Sequence, residues 1–590
     1  MVKLFSSKRM FVLGLLIFII PWFNCYSQQN KPNIIIVLSD DQGYGDFSLH
    51  GNPILQTPTL DRIASESVEF TDFHVAPLCT PTRGQLMTGL DAYHNKASTV
   101  GFASGIVKRD VIMMPELFKK NGYTTGIFGK WHLGDSYPDR PMDNGFDKSI
   151  WIKGWGLLSE MEYDNDYYET RYLDSLTTKY SGKYCSNLWF DKAMEWMDEN
   201  VKKDKPFFSY IALNAPHGPF DSPKQDYDFY KDKISNERTA SFFGMIRNID
   251  RNMNHLDNWL ETKGLKENTI LIYMTDNGTA QGEKVFNASM RGKKTSLYEG
   301  GHRVTCFIRW PEGNVIGPVK IDTPTQVQDI LPTLIQLVNI KQDKHIFDGV
   351  SLTPLIYSES KFEDRMFVVQ YGKIPAVKYE GCVIFGNWRL LGGNELYDIK
   401  IDPSQTNNIA NNYPQIVNKM KSYYENWWLN LKLDTKNWVP IVAGSNYDNP
   451  VILNSSNWVD NPVNAQWNIA MGTGLKNGGE SYIDVEQEGN YKIELSRWPF
   501  HLNKNLNENG PEFSIGGNPI TIGNSFGINY GCLEIGSGDV KIEKAISNSK
   551  SILFETKLKK GETKLRAWFM DKDNNNLCGA YYVRLTRIIN

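Results

Sequence analysis

Ile34 to Leu38 is an unbroken apolar run that stops at Ser39-Asp40-Asp41. Such a run, closed by polar residues, predicts a strand buried on both faces of a parallel sheet. Thr269 to Met274 repeats the pattern and stops at Thr275-Asp276-Asn277-Gly278. Between them, short apolar runs at Gly126-Ile127-Phe128 and Phe207 to Leu213 alternate with stretches of helical period, Thr59 to Val68 and Ser241 to Thr262. The alternation predicts an α/β unit: a large mixed, mostly parallel sheet flanked by helices on both faces. Ligands of open α/β sheets bind beyond the carboxyl ends of the strands, so the two acidic strand ends are expected to serve one shared site.

From Phe367 to Tyr424 the pattern shifts to short strands followed by a predicted helix, Tyr413 to Leu431, which suits a smaller α+β subdomain. Beyond Val439 the helical period fades. Alternating segments follow at Tyr482 to Val485, Tyr491 to Leu495, Ser551 to Leu558 and Leu565 to Phe569, with Gly489-Asn490 and Lys560-Gly561 as turns. An antiparallel β-sandwich is the expectation for this part. The expected divisions are a signal peptide at 1–27, the α/β domain at 28–360, the smaller subdomain at 361–438 and a β-rich accessory domain at 439–590.

The N-terminus carries Lys3, Lys8 and Arg9, an uncharged run of 14 residues from Met10 to Phe23, then Asn24-Cys25-Tyr26-Ser27. That is the pattern of an export signal cleaved after Ser27, since the run is shorter than the about 20 residues that span a bilayer. Lipidation at Cys25 is the alternative, with Phe23 and Asn24 poor neighbours for it. An exported chain, periplasmic or secreted and without a stable membrane span, is therefore expected. The net charge of −3 excludes the basic excess typical of nucleic-acid binders, so an anionic substrate must be met by a local cluster of cations. Seven scattered cysteines offer no zinc spacing. Cys185, Cys306 and Cys382 read as buried thiols, while Cys532 and Cys578 share a region in which they can pair.

Asp40-Asp41 and Asp276-Asn277 place hard oxygen ligands just after buried strands, as a Ca²⁺ or Mg²⁺ site requires. Cys79-Thr80-Pro81-Thr82-Arg83, followed by Thr88-Gly89, resembles the C-x-P-x-R…T-G signature of the type I sulfatases of the alkaline-phosphatase-like superfamily. Three further stretches resemble the same family in the same order: Gly129-Lys130-Trp131-His132, Asn214-Ala215-Pro216-His217, and Arg291-Gly292-Lys293-Lys294 with Glu299-Gly300-Gly301. Thr57-Pro58-Thr59-Leu60-Asp61 and Glu395-Leu396-Tyr397-Asp398 add support. Lys293 stands where the family usually has glycine.

The resemblance implies a sulfuric ester hydrolase in which a separate maturation enzyme oxidises Cys79 to formylglycine (3-oxoalanine). It implies a metal held by Asp40, Asp41, residue 79, Asp276 and Asn277. Ca²⁺ is preferred over Mg²⁺ because an all-protein oxygen cage suits the larger ion. Arg83, Lys130 and Lys294 are then the sulfate cations, His217 the general acid and His132 the base. The thiol would be a poor ligand for such a metal, and an aldehyde hydrate supplies oxygen in its place. His50, His74 and His302 have no motif support and read as substrate contacts or structural groups. The C-terminal stretch Gly489-Asn490-Tyr491…Leu495-Ser496-Arg497-Trp498-Pro499, with Gly579-Ala580-Tyr581-Tyr582-Val583, resembles the β-rich extension of bacterial polysaccharide sulfatases. A sulfated carbohydrate is thereby implied, such as an algal polysaccharide like ulvan or its oligosaccharides. Trp151, Trp155 and Trp498 are available for sugar stacking, although such residues are core by default. The rival readings are a phosphonate monoester or phosphodiester hydrolase of the same superfamily and an inactive, glycan-binding relative.

Overall fold

The computed structural model describes residues 31–589 apart from 102–104, 158, 160–164, 343–345, 359–361, 374, 434–437, 461–462, 464–465, 511, 516–517 and 522–524. The expected export signal and Cys25 lie outside the described residues. No described helix is long and apolar enough to cross a membrane.

Eleven strands form the main sheet: β1 Asn33–Ser39, β2 Val68–His74, β3 Thr124–Lys130, β4 Lys148–Ile152, β5 Thr170–Asp174, β6 Thr177–Ser181, β7 Phe207–Ala212, β8 Thr269–Thr275, β9 Arg303–Arg309, β10 Val319–Ile321 and β11 Thr325–Gln326. Their order is β10-β2-β9-β8-β1-β7-β3-β4-β5-β6, with β11 also on β2. β1 lies at the centre, parallel to both β7 and β8. Its side chains alternate between two cores, as the two-residue period of a strand requires. Ile34, Ile36 and Leu38 face one core with Leu86, Met114 and Leu334. Ile35 and Val37 face the other with Leu60, Trp189 and Leu256. Helices therefore cover both faces, as the unbroken apolar run predicts.

Two helix bounds need correction. The helix foreseen over Thr59 to Val68 is α1, Pro58–Ser65, and Val68 instead opens β2. Glu69 and Asp72 disguise β2 as a polar segment, yet both are buried. β9 runs antiparallel between β2 and β8, so the sheet is mixed, as expected. The long helix, Glu237–Thr262, starts four residues before Ser241, because the Asn236 side chain accepts a hydrogen bond from the Thr239 N–H at 3.0 Å and caps it.

A second sheet, antiparallel throughout, comprises β12 Met366–Gln370, β13 Gly381–Phe385, β14 Trp388–Leu391 and β15 Glu395–Asp398, covered by the helix Pro414–Asn430. Beyond it, two further sheets of six and four strands share one hydrophobic core. Val485, Leu565 and Leu533 come from one, Ile493, Phe554 and Val583 from the other. The pairing is antiparallel except for Ile441–Ala443 beside Ser481–Val485, which is parallel. Gly489-Asn490, expected as a turn, opens the strand Gly489–Ser496. Cys532 and Cys578 are free. They sit on opposite sides of the strand Gly561–Met570, facing Trp568 and Phe569. Two strand spacings separate them by about 9–10 Å, beyond the ~7 Å Cα limit of a disulfide.

The second sheet is fastened to the first by buried charge. Arg389 of β14 donates from Nη2 to both Asp72 oxygens at 2.9 Å and from Nε to Glu299 Oε1 at 2.6 Å. His74 and His302 belong to this network: their Nδ1 atoms lie 2.9 Å apart, His74 Nε2 donates to Asp72 and His302 Nε2 donates to the Leu297 carbonyl. Both rings are fully buried, and burial together with His74 pushes His302 down to about 3. Their role is structural, and so is that of His50, held between Glu69 and the Tyr44 carbonyl. Replacing Arg389 with alanine strands two buried carboxylates and is expected to cost about 3–5 kcal/mol. A urea titration reads this as a lowered midpoint, and an unchanged midpoint would refute the role assigned to Arg389.

Candidate active site

β1 and β8 end side by side, and their last residues form the floor of the site. The Asp41 N–H, on a backbone with φ of +70°, donates to Asp276 Oδ1 at 3.1 Å. Aspartate is among the few residues that enter this left-handed region at modest cost. Gly278 follows, and a Cβ there would lie 2.0 Å from the Gly300 carbonyl oxygen, so only glycine lets the Glu299-Gly300-Gly301 turn close over the strand end.

Cys79 is the first residue of α2, Cys79–Thr88, all ten residues of which are buried. The start of a helix favours negative charge through its unpaired N–H groups. One turn on, Arg83 donates to Asp276 Oδ2 at 2.8 Å and to the Lys130 carbonyl at 3.2 Å, and lies 3.6 Å from Asp40 Oδ2. Lys130, the last residue of β3, reaches Asp40 Oδ2 at 2.5 Å. Asp40, Cys79 and Asp276 bring ligand atoms within 4.8 Å of one another, as do Asp40, Asp41 and His217. Burial raises the Cys79 thiol pKa despite Lys130 and Lys294, so unmodified residue 79 favours its neutral form.

Lys294 Nζ lies 2.7 Å from Asp41 Oδ1 and 2.8 Å from Oδ2. Lys293 turns outward to Glu283. The doubled lysine is thus resolved geometrically: Lys294 enters the site. Asp41 keeps Lys294 charged in spite of its burial. Against the burial that opposes it, Lys130, with His217 and Arg83, holds Asp40 well below the usual carboxylate range. Burial and the adjacent Asp40 push Asp276 up to about 7.

The two histidines differ in their partners. His217 Nδ1 faces the Gly218 carbonyl at 2.7 Å, which accepts only, so Nδ1 carries the proton and Nε2 presents a lone pair 3.7 Å from Asp41 Oδ2. Burial and Lys294 lower the His217 pKa. His132 Nε2 pairs with Thr80 Oγ1 at 2.8 Å, while its buried Nδ1 has no partner. Burial, Lys130 and Arg83 lower the His132 pKa strongly, favouring the neutral ring.

A hard cation fits this donor set. Asn277 spends its NH₂ on Asp41 Oδ1 and the Gly278 carbonyl, leaving a buried Oδ1 without a donor. Asp40 Oδ1 is likewise buried and unpaired. Two orphaned oxygens beside three carboxylates supply what a Ca²⁺ or Mg²⁺ ion replaces water with.

Beyond His132 a cleft, about 550 Å³ including the open space at its mouth, lies between the main sheet and the C-terminal β region, lined by Gly134, Asp135, Trp155, Asn454 and Asn457 among others. Trp155 also packs on His217, with ring centroids 5.5 Å apart. Asn454 Oδ1 accepts the Ser456 N–H and Asn457 Oδ1 accepts the Asn454 N–H, both at 2.8 Å. With both oxygens engaged, the donor ends of the two amides remain for the cleft. Of the three tryptophans proposed for stacking, Trp151 and Trp498 are buried and only Trp155 lines this cleft.

Sequence reasoning did not single out Asp135, Asn454 or Asn457, which no spacing rule connects to β1. It also passed over Tyr167, whose single hydroxyl proton is shared between the Asn214 and His217 carbonyls, 2.8 and 2.7 Å away.

The sulfatase family matches residues 32–340, just over half of the 590-residue chain. The mouse protein named arylsulfatase J is 28% identical over 418 residues, covering 65% of this chain and 68% of that protein. The ulvan-active sulfatase of Formosa agariphila is 29% identical over 413 residues, covering 65% and 78%. Among solved structures, Ps i-CgsB in complex with k-i-k-neocarrahexaose aligns with a TM-score of 0.60 at 26% identity, over 67% of this chain and 92% of that one. Mixed sheet, clustered strand-end acids and family match agree: the chain belongs to the sulfatase family, the sulfuric ester hydrolases of alkaline-phosphatase-like fold.

Proposed function

We propose that this chain removes sulfate esters from a sulfated carbohydrate, an algal polysaccharide such as ulvan or its oligosaccharides, with Cys79 matured to formylglycine and Ca²⁺ held by Asp40, Asp41, residue 79, Asp276 and Asn277. The observation that carries the reading is the place of Cys79, at a helix start within ligand distance of Asp40 and Asp276 and among the charges of Arg83, Lys130 and Lys294. The ulvan-active relative and the carrageenan-complexed neighbour support the carbohydrate. The N-terminal segment supports export.

When bound, Ca²⁺ supplies Lewis acidity to a sulfate oxygen and to the nucleophile. Residue 79, once matured and hydrated, would supply one hydroxyl as the nucleophile toward sulfur with the sugar alkoxide as leaving group, and a second whose loss of a proton would let the C–O bond to sulfate break as the aldehyde re-forms. Arg83, Lys130 and Lys294 offset the charge that gathers there. His217 holds its ring by Nδ1, which leaves Nε2 to carry the proton for the leaving sugar alkoxide; an anionic sulfate in the site offsets Lys294 and favours that protonation. The neutral His132 ring is suited to take the proton from the second hydroxyl.

The test is sulfate release, by ion chromatography, from ulvan, carrageenan and chondroitin sulfate oligosaccharides, with phenyl phosphonate monoester alongside. Release is expected from at least one glycan, with kcat/KM about 100-fold above that for the phosphonate. The reverse ranking would replace this reading with phosphonate hydrolysis.

A further inference from the structure

A second cleft, of about 1080 Å³ including the space at its mouth, lies between the β5–β6 hairpin and the C-terminal β region. Lys153 and Ile452 line it, while Gly154 and Asn454, one and two residues further along the chain from them, line the cleft at His132, so the two share walls. Their charges differ. The first has one carboxyl side chain in its described lining, Asp135, and no lysine or arginine; burial raises the pKa of that carboxyl, against the pull of Lys153 in the shared wall. The second has Lys153, Arg171 and Arg584 and no carboxylate. Cations gathered in one concavity of a chain with net charge −3 focus the local potential toward an anion.

Arg584 lies 3.8 Å over the Phe500 ring and 3.2 Å from Glu494 Oε2, a partly exposed pair that is worth little and yields readily to a stronger anion. Phe500, with Arg584 over one face of its ring, adds apolar surface to the wall.

We propose that the second cleft is a subsite for an anionic sugar of the same glycan, a ring bearing a second sulfate or a carboxylate, while the sugar carrying the scissile ester sits in the first cleft as an otherwise uncharged ring. The amide donors of Asn454 and Asn457 and the acceptor Asp135 suit the hydroxyls of that ring, and its described lining offers no lysine or arginine to a further anion on it. The enzyme then selects oligosaccharides over monosaccharides, and polyanionic ones over singly sulfated ones. This rests on the sulfatase reading for the position of the scissile ester alone.

The test is calorimetric titration of the Ca²⁺-supplemented protein with sucrose octasulfate, a polysulfated disaccharide, and with inorganic sulfate. The parent is expected to bind the disaccharide at least about tenfold more tightly than sulfate, and Lys153→Ala/Arg584→Ala to lose most of that advantage while binding sulfate as before. Lys153→Gln/Arg584→Gln is the second form, should the alanine pair fold poorly. Lys202→Ala/Lys224→Ala, with side chains 72% and 84% exposed elsewhere, removes the same charge and is expected to change nothing. Absence of disaccharide binding by the parent, unchanged affinity in the cleft variants, or equal loss in the control would overturn the subsite. Binding needs no turnover, so a glycan panel without sulfate release would refute the sulfatase reading and leave this result to stand by itself.

Discussion

Cys79→Ala is expected to abolish sulfate release, with kcat down by about 10⁴ or more, as for other enzymes stripped of their nucleophile. The fold should survive. Cys79 is buried and its thiol makes none of the hydrogen bonds that order the site, so deleting one sulfur costs only about 1 kcal/mol of packing. Activity and stability therefore separate: the thermal midpoint moves by a few degrees while turnover disappears. Mass spectrometry of the parent from a host with the maturation enzyme is expected to show residue 79 as the aldehyde or its hydrate. Cys79→Ser tests the same point differently. It keeps an oxygen in place but is inactive where the maturation system accepts only cysteine, because the raised pKa of a buried hydroxyl leaves it unactivated. Retained turnover in the alanine variant would sink the formylglycine proposal.

The legible part of this chain is the part set by local pattern. β1 and β8 are unbroken apolar runs, and their acidic ends follow directly in sequence, so both strands and the expected meeting of Asp40, Asp41, Asp276 and Asn277 are readable. β2 and β9 were not readable. Glu69, Asp72, Arg303 and Arg309 break their apolar pattern, and the buried ion pairs that accommodate them reach far along the chain: Asp72 to Arg389, Arg309 to Asp257 at 2.5 Å. The same holds at the site. Lys293 and Lys294 are equivalent as sequence, and one is chosen because Gly292, with φ of +84°, and Thr295, with φ of +75°, turn the loop so that only Lys294 faces Asp41. The cleft walls are the extreme case. Asn454 and Asn457 look like any asparagine-rich turn, and they acquire meaning only when the C-terminal sheets stand beside His132.

Withdrawal of the cation is the other large effect. Dialysis against a Ca²⁺ chelator is expected to lower turnover by about 100-fold or more, since Lewis acidity at the sulfate oxygen is lost. Thermal stability should fall with it: a ligand present at 100 times its Kd contributes about 2.7 kcal/mol to the folded state. Returning Ca²⁺ restores both, and Mg²⁺ restores them less well, because the flexible carboxylate and amide oxygens suit the larger ion. The midpoint shift should persist in Cys79→Ala, smaller by one ligand, which separates metal binding from chemistry. Lys294 sharpens the sign. Its ammonium lies within 2.8 Å of both Asp41 oxygens and so competes with a metal for that carboxylate. Lys294→Met is therefore expected to tighten Ca²⁺ binding several-fold, read as a larger midpoint rise per added Ca²⁺, even as turnover collapses for want of the sulfate cation. Weaker Ca²⁺ binding in that variant would show that Lys294 organises Asp41 for the metal, and the competition between them would have to be abandoned.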